Sequence, residues 1–144
     1  MPYSEIRPVL SDRAIIAEMD VYRSAAFMEA LVAAYAIVAH ADGEVAPKER
    51  RRLMGMARNE PLLAHFSHAD IAEEFALHEA NYELDNELAG VLAAEKLDAM
   101  RGHPREARTI VAAARAAILA DDVLHPSEMR ALHEIKKALG LLQD

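Results

Sequence analysis

The stretch AHADGEVAPKE, Ala39 to Glu49, decides the fold because it contains a helix end, a tight acidic turn and a helix start. Asp and Gly favour a sharp turn. Pro47 suits the first position of the next helix, since its φ is already fixed near the helical value and its missing N–H is not needed there. The same device returns 79 residues further on as ILADDVLHPSE, Ile118 to Glu128. The chain is therefore predicted to use one helix–turn–helix unit twice.

An ungapped alignment of the chain with itself at this offset gives nine identities in the 23 positions from Leu31 to Leu53. Chance in Ala-rich helices can supply the matching alanines, but it does not readily supply Asp, Pro and Glu in one register. The repeat units are expected at about 25–58 and 104–140, with their apolar stripes packed on a common core about a pseudo-twofold axis.

Composition predicts an all-α fold in a single compact domain of about seven to eight helices. The 144 residues are 53% hydrophobic and 28% charged, which suits a soluble globular domain, and only 5% aromatic. Leu, Ile, Val, Met and Ala suit close helix packing, and runs of residues that would form strands are missing. We expect an N-terminal arm at residues 1–10 and a helical domain at 11–144.

Apolar spacing and capping residues mark the individual helices. A first helix is expected from Ser11 or Asp12, a short one from Pro61 to Phe66, and one capped by Ser67 that is bent or interrupted between Asn81 and Asn86. Helices are also expected to start at Pro47, Pro104 and Pro126, and to stop at Gly102 and Gly140. The residues predicted to share an apolar or core-facing side of their helices are Phe27, Met28, Leu31, Val32, Tyr35, Val38, Leu53, Met56, Ala57, Ile71, Phe75, either Leu77 or His78, Ile110, Val111, Ala114, Ile118, Met129, Leu132, Ile135 and Leu139. A further helix, which ends at Gly102, is expected to contain Leu88, Val91, Leu92 and Leu97.

The formal charge of −8 disfavours nucleic acids and anionic membrane surfaces, because binding phosphates requires Lys and Arg. It favours cations or basic protein partners. The most apolar segment, residues 25–41, contains Glu29 and His40 and is shorter than the roughly 20 apolar residues that cross a bilayer, so direct membrane insertion is not expected. Cysteine is absent, which excludes disulfides and thiolate chemistry and is compatible with a cytoplasmic location.

The acidic residues of the two turns have a structural and a functional interpretation. Asp tolerates sharp turns, and a Glu at the third helical position can accept a hydrogen bond from the cap N–H and face the positive end of the helix dipole. The first turn also matches the second half of an EF-hand loop, although the carboxylates of the first half are absent. If the fold brings both turns to one face, six carboxylates form one acidic surface for Ca²⁺ or another divalent cation, or for a protein partner: Asp42, Glu44, Glu49, Asp121, Asp122 and Glu128.

Catalytic motifs are missing from the sequence. The seven His form no HExxH motif, and the five isolated Gly form no phosphate-binding loop. We expect the histidines to be surface or capping residues, and no catalytic residue is assigned. A small hydrolase that uses His and carboxylate groups is the remaining enzymatic hypothesis.

The segments AHADGEVAPKERRRL and ILADDVLHPSEMRALHEIKKALGL resemble the TerB-like domains of the tellurite-resistance protein B family. The resemblance covers Ala25 to Leu142 and includes the final Leu139-Gly140 pair, although Asp122 replaces a Gly of the second turn and Ala46 replaces a capping residue. It implies an all-helical, cytoplasmic, non-enzymatic scaffold linked to tellurite resistance and stress. It also implies, in some members, bound cations or a membrane-protein partner of the same operon. Related domains belong to membrane-anchored co-chaperones.

Overall fold

The computed structural model describes residues 25–41, 47–119 and 125–142, apart from the side chain of Leu62, and this part of the chain is helical with no strand. The all-α, single-domain prediction is confirmed. Instead of seven to eight helices, the described part has six α-helices and one short 3₁₀ helix. They are α1 at residues 25–39, α2 at Pro47–Arg58, the 3₁₀ helix at Pro61–Leu63, α3 at His68–Leu84, α4 at Asn86–Asp98, α5 at Pro104–Leu119 and α6 at Pro126–Ala138.

Several predicted features lie outside the described residues. These are the N-terminal arm at 1–10, the helix expected from Ser11 or Asp12, and the tips of both acidic turns, at 42–46 and 120–124. The helices on either side of each turn are described.

Helix α1 is buried on almost every side. Eleven of its fifteen residues are buried, and the other four are only half-exposed. A helix that is apolar all round is stable in water only when other helices surround it. Its large side chains, such as Phe27 and Leu31, alternate with Ala30, Ala33 and Ala34, which let neighbouring helices approach closely. The core of the domain is therefore organised around α1.

The two predicted repeat units have matching helices. At an offset of 79 residues, α1 corresponds to α5 and α2 to α6, with bounds that agree to within about a residue. The buried stripe is shared as well, because each of these positions is buried in both units: Met28, Leu31, Val32, Tyr35 and Val38 in α1, and Ala107, Ile110, Val111, Ala114 and Ala117 in α5.

The two units differ in how much of the first helix they bury. Helix α5 keeps a solvent face that contains Arg105, Arg108, Ala112 and Arg115, whereas no described residue of α1 is exposed. Ala36 of α1 corresponds to Arg115 of α5, so the sequence places a charge where the second unit meets water. The two units therefore share their helix positions and their buried stripe, but α1 is central and α5 is peripheral.

Helix α4 buries two alanines and one leucine. Ala89, Ala93 and Leu97 face the core, while Leu88 and Val91 are each 55% exposed. Close packing of α4 against α3 and α6 favours alanine at the contact. In α6, Met129 was predicted to face inward and is 47% exposed.

Capping residues define the ends of the middle helices as predicted. Ser67 and Asp70 form a capping box at the start of α3. The interruption falls at Asp85, which ends α3 and accepts a hydrogen bond from the backbone N–H of Leu88 at 3.1 Å to begin α4. Gly102 adopts a φ of 82° between α4 and α5, in the left-handed region that favours glycine. The short helix expected from Pro61 to Phe66 is a 3₁₀ turn that ends at Leu63.

A pair of equivalent substitutions tests whether α1 is central. Ala33→Leu inserts three heavy atoms at a position that is fully buried, and we expect it to lower the free energy of unfolding by about 1–3 kcal/mol through overpacking. Ala112→Leu makes the same change at the corresponding, exposed position of α5 and should stay within about 0.5 kcal/mol of the parent. Urea denaturation measures both. Equal effects of the two substitutions would contradict the central position of α1.

Candidate functional site

Four of the six carboxylates predicted to form an acidic surface lie outside the described residues: Asp42, Glu44, Asp121 and Asp122. The other two, Glu49 and Glu128, are half-buried in the first turns of α2 and α6. Among the residues that the structure describes, no three His, Asp or Glu side chains converge in a way that could hold a metal ion.

Glu49 takes part in a contact between the two repeat units. Its carboxylate lies 3.2 Å from the guanidinium of Arg52, one turn along α2. The same guanidinium donates a hydrogen bond of 2.8 Å to the carbonyl of Ala117, in the last turn of α5. The first half of α2 therefore contacts the end of α5.

This contact relates the helix ends next to the two acidic turns. Pro47 precedes Arg52 by five residues, which is about 7.5 Å along a helix axis, and Leu119 follows Ala117 by about 3 Å. Pro47 follows the first turn and Leu119 precedes the second. These two residues therefore belong to neighbouring helix ends.

Glu128 lies at the start of α6, where the predicted cap is only partly realised. His125 precedes the helix with extended backbone, and its side chain makes no capping hydrogen bond. The backbone N–H of Glu128 donates to the carbonyl of His125 at 3.0 Å. Pro126 starts the helix as the sequence predicts.

A polar cluster that the sequence did not predict joins α1, α3 and α4, with one buried and three half-buried members. The ammonium of Lys96 on α4 donates a hydrogen bond to the carboxylate of Glu29 on α1. It lies 3.8 Å from Oε1 of Glu74 on α3. His78, one turn after Glu74, has a side chain only 2% exposed, and its Nε2 lies 3.8 Å from the same Oε1. We call Glu29, Glu74, His78 and Lys96 the polar cluster.

Hydrogen bonding in the polar cluster is incomplete. Glu74 Oε1 and both ring nitrogens of His78 are buried without a hydrogen-bond partner. Burial raises the pKa of Glu74, and the neighbouring charges of Glu29 and Glu73 raise it further. Burial lowers the pKa of His78 to about 4, and the positive charge of Lys96 acts in the same direction. His78 is therefore neutral near pH 7. Its burial also keeps a dissolved substrate away from the ring, which does not favour the hydrolase hypothesis.

His40 connects α1 to α3 immediately before the first acidic turn. Its ring stacks on that of Tyr82, with centroids 4.0 Å apart and planes 5° from parallel. Its Nδ1 is 2.9 Å from the carbonyl of Ala36, one turn back in α1. The hydrogen bond ties the ring of His40 to α1, and the stacking holds this end of α1 against α3.

Sequence reasoning left the buried position of α3 open between Leu77 and His78. The structure buries His78 and leaves Leu77 50% exposed. Spacing carried the correct signal, because Ile71, Phe75 and His78 are separated by four and three residues and share one helix face. Residue type pointed to Leu77 instead.

Comparison with known protein families gives a match over most of the chain. The family model of tellurite resistance protein TerB matches residues 28–144. The chain belongs to the TerB family. Comparison with curated proteins gives no match, and comparison with solved structures gives none either. Within the described part of this TerB chain, every helix is too short or too polar to cross a membrane.

The buried, neutral His78 predicts that stability falls in acid. In the unfolded chain a His binds a proton near pH 6.5, whereas in the folded protein His78 does so only near pH 4, so protons favour unfolding between these values. The loss between about pH 7 and about pH 5 should be about 2 kcal/mol. The raised pKa of Glu74 acts in the opposite direction, since the folded state then takes up a proton before the unfolded one.

The variant His78→Met isolates this contribution. Its free energy of unfolding, measured in urea across this pH range, should fall less steeply than that of the parent. His133→Met removes an exposed histidine of α6 and should leave the parent slope unchanged. Parallel pH slopes for the parent and His78→Met would show that His78 does not stay neutral in the folded state.

Proposed function

We propose that this TerB protein is a cytoplasmic, non-enzymatic binding protein of the stress response linked to tellurite resistance. It acts through an acidic surface made by the two turns, which binds a divalent cation such as Ca²⁺ or a basic protein partner. The proposed ligand residues are Asp42, Glu44, Glu49, Asp121, Asp122 and Glu128.

The observation that carries the proposal is the Arg52 contact. Because Arg52 holds the carboxylate of Glu49 and the carbonyl of Ala117 at once, helix ends that flank both turns are neighbours. The helix that follows the first turn and the helix that precedes the second are neighbours at these ends. This arrangement supports a common surface made by both turns. Carboxylate oxygens are hard ligands, which suits Ca²⁺ or Mg²⁺ better than softer metals.

Net charge also supports this function. The chain carries 24 acidic and 16 basic residues, so its field attracts cations and basic proteins and repels phosphate-rich ligands. The alternative is a metal-free version, in which the chain is an interaction module associated with a membrane protein or a co-chaperone. Titration with metal ions separates the cation version from this partner version.

Calorimetric titration with Ca²⁺, Mg²⁺ and Zn²⁺ tests the cation version. At least one ion should give heat of binding with the parent and none with the double variant Asp42→Asn, Asp121→Asn. A ligand present at about 100 times its Kd stabilises the folded state by about 2.7 kcal/mol, so the midpoint of thermal unfolding should rise only where binding survives. The control Glu83→Gln, Glu95→Gln removes two charges from exposed positions of α3 and α4 and should bind as the parent does.

Absence of heat with all three ions would rule out the cation version. The partner version would then be tested by capture from a cell lysate with the parent and with Glu44→Gln, Glu49→Gln. Loss of a captured protein in this variant, and its retention in the control, is the expected result. Equal capture by both variants would contradict a role for the first turn.

A further inference from the structure

A second acidic surface lies apart from the two turns, between α1 and α3. It is a depression of about 530 Å³ that faces the first turn of α1, the loop after the 3₁₀ helix and the first half of α3. We call it the α1–α3 depression. Its apolar side chains include Met28, Phe66 and Leu77. Leu77 is 50% exposed, so the depression presents a large apolar side chain to solvent.

Among the residues that the structure describes, the charged side chains that line the α1–α3 depression are all acidic: Asp70, Glu73 and Glu74. Asp70 is already engaged, because it accepts a hydrogen bond from the N–H of Ser67 as part of the cap of α3. Glu73 is exposed, and its charge helps to raise the pKa of Glu74. The lining therefore combines an apolar floor with crowded carboxylates.

A second, independent observation is the unfilled hydrogen bonding of the polar cluster behind this lining. Glu74 lines the depression, yet its Oε1 has no donor within hydrogen-bond distance, since the nearest nitrogens, the ammonium Nζ of Lys96 and Nε2 of the neutral His78, are each 3.8 Å away. His78 is 2% exposed on its side chain and has both ring nitrogens unpartnered. Buried acceptors without donors are costly, so a cationic donor that arrives from outside would be stabilised there.

We propose that the α1–α3 depression binds an amphipathic, basic helical segment of a partner protein. Apolar side chains of the partner pack on Met28, Phe66 and Leu77, and a Lys or Arg beside them donates to Glu73 and to Glu74 Oε1. An anionic lipid surface or nucleic acid is the wrong partner for this face, because its phosphates would meet three carboxylates.

Comparison with a second depression supports the choice of this one. A depression of about 430 Å³ between α4 and α6 also has an exposed apolar residue, Val91, and acidic residues, Glu95, Asp98 and Glu134. It carries two cations as well, Arg101 and Lys137, so its charge is mixed. In the described part of the chain, the charged lining of the α1–α3 depression is acidic alone, so this is the face that selects a basic segment. The α4–α6 depression provides a matched control.

Fluorescence anisotropy with designed peptides tests the proposal on the full chain. The probe is a labelled helix of Leu and Lys, about 18 residues or five turns long, with the Leu residues on one face. Two comparison peptides replace every Lys by Glu or scramble the order so that no apolar face forms. We expect binding of the first probe, weaker binding of the scrambled peptide and none of the Glu peptide.

Variants then locate the binding site. Glu73→Gln with Leu77→Ser changes only exposed groups of the α1–α3 depression and should weaken binding roughly tenfold or more, as expected for the loss of a charge-assisted hydrogen bond and an apolar contact. Glu74→Gln should weaken it further. The control Glu95→Gln with Val91→Ser makes the same two kinds of change in the α4–α6 depression and should bind as the parent does.

Three results would overturn the proposal. One is the absence of binding by the Leu and Lys probe. Another is equal weakening by the two sets of variants, which would mean that the probe responds only to net charge. The third is equal binding of the ordered and scrambled peptides. The double variant Asp42→Asn, Asp121→Asn should keep the affinity of the probe, which makes this proposal independent of cation binding by the turns.

Discussion

The rest of the structure depends on burying α1. A helix without a polar face has to be surrounded by other helices. Alanine makes this possible, because Ala30, Ala33, Ala34 and Ala36 are fully buried and let the neighbouring helices approach closely. With 5% aromatic residues, the core gains its density from close approach rather than from bulky side chains. Helix α5 is more peripheral, since it keeps a face exposed to solvent.

Burying α1 also explains the polar cluster. Glu29 is the charged residue of α1 in its described part, and Lys96 compensates it from α4. Lys96 has a raised pKa mainly because of its hydrogen bond to Glu29, so Lys96 stays charged. Glu74 and His78 then share the remaining space with fewer donors than acceptors. The cluster links α3 and α4 to the central α1, and it leaves unfilled hydrogen bonding next to the surface at Glu74.

The two proposed binding surfaces arise from different parts of this design. The acidic turns connect the helices of each repeat unit, and the Arg52 contact brings the flanking helix ends together. The α1–α3 depression lies beside the first turn of α1, where Met28 and Leu77 are close to carboxylates of α3. Both proposals involve acidic residues, in keeping with the net charge of −8, and in both we expect phosphate-rich partners to be disfavoured. One suits a small cation or a basic side chain, and the other suits a helical segment.

The sequence by itself determined the helical class, the repeat and most of the helix ends, because these depend on local chemistry. Pro47, Pro104 and Pro126 start helices, the Ser67 capping box forms, and Gly102 and Gly140 take the left-handed conformation that ends helices. The acidic residues that the sequence singled out are mostly outside the described part, so their role stays a prediction. Only the tertiary structure decided which apolar residues are buried and which polar ones are. Leu88 and Val91 proved exposed and His78 buried, because the distance between packed helices, which no local pattern contains, selects side chains by size as well as by hydrophobicity.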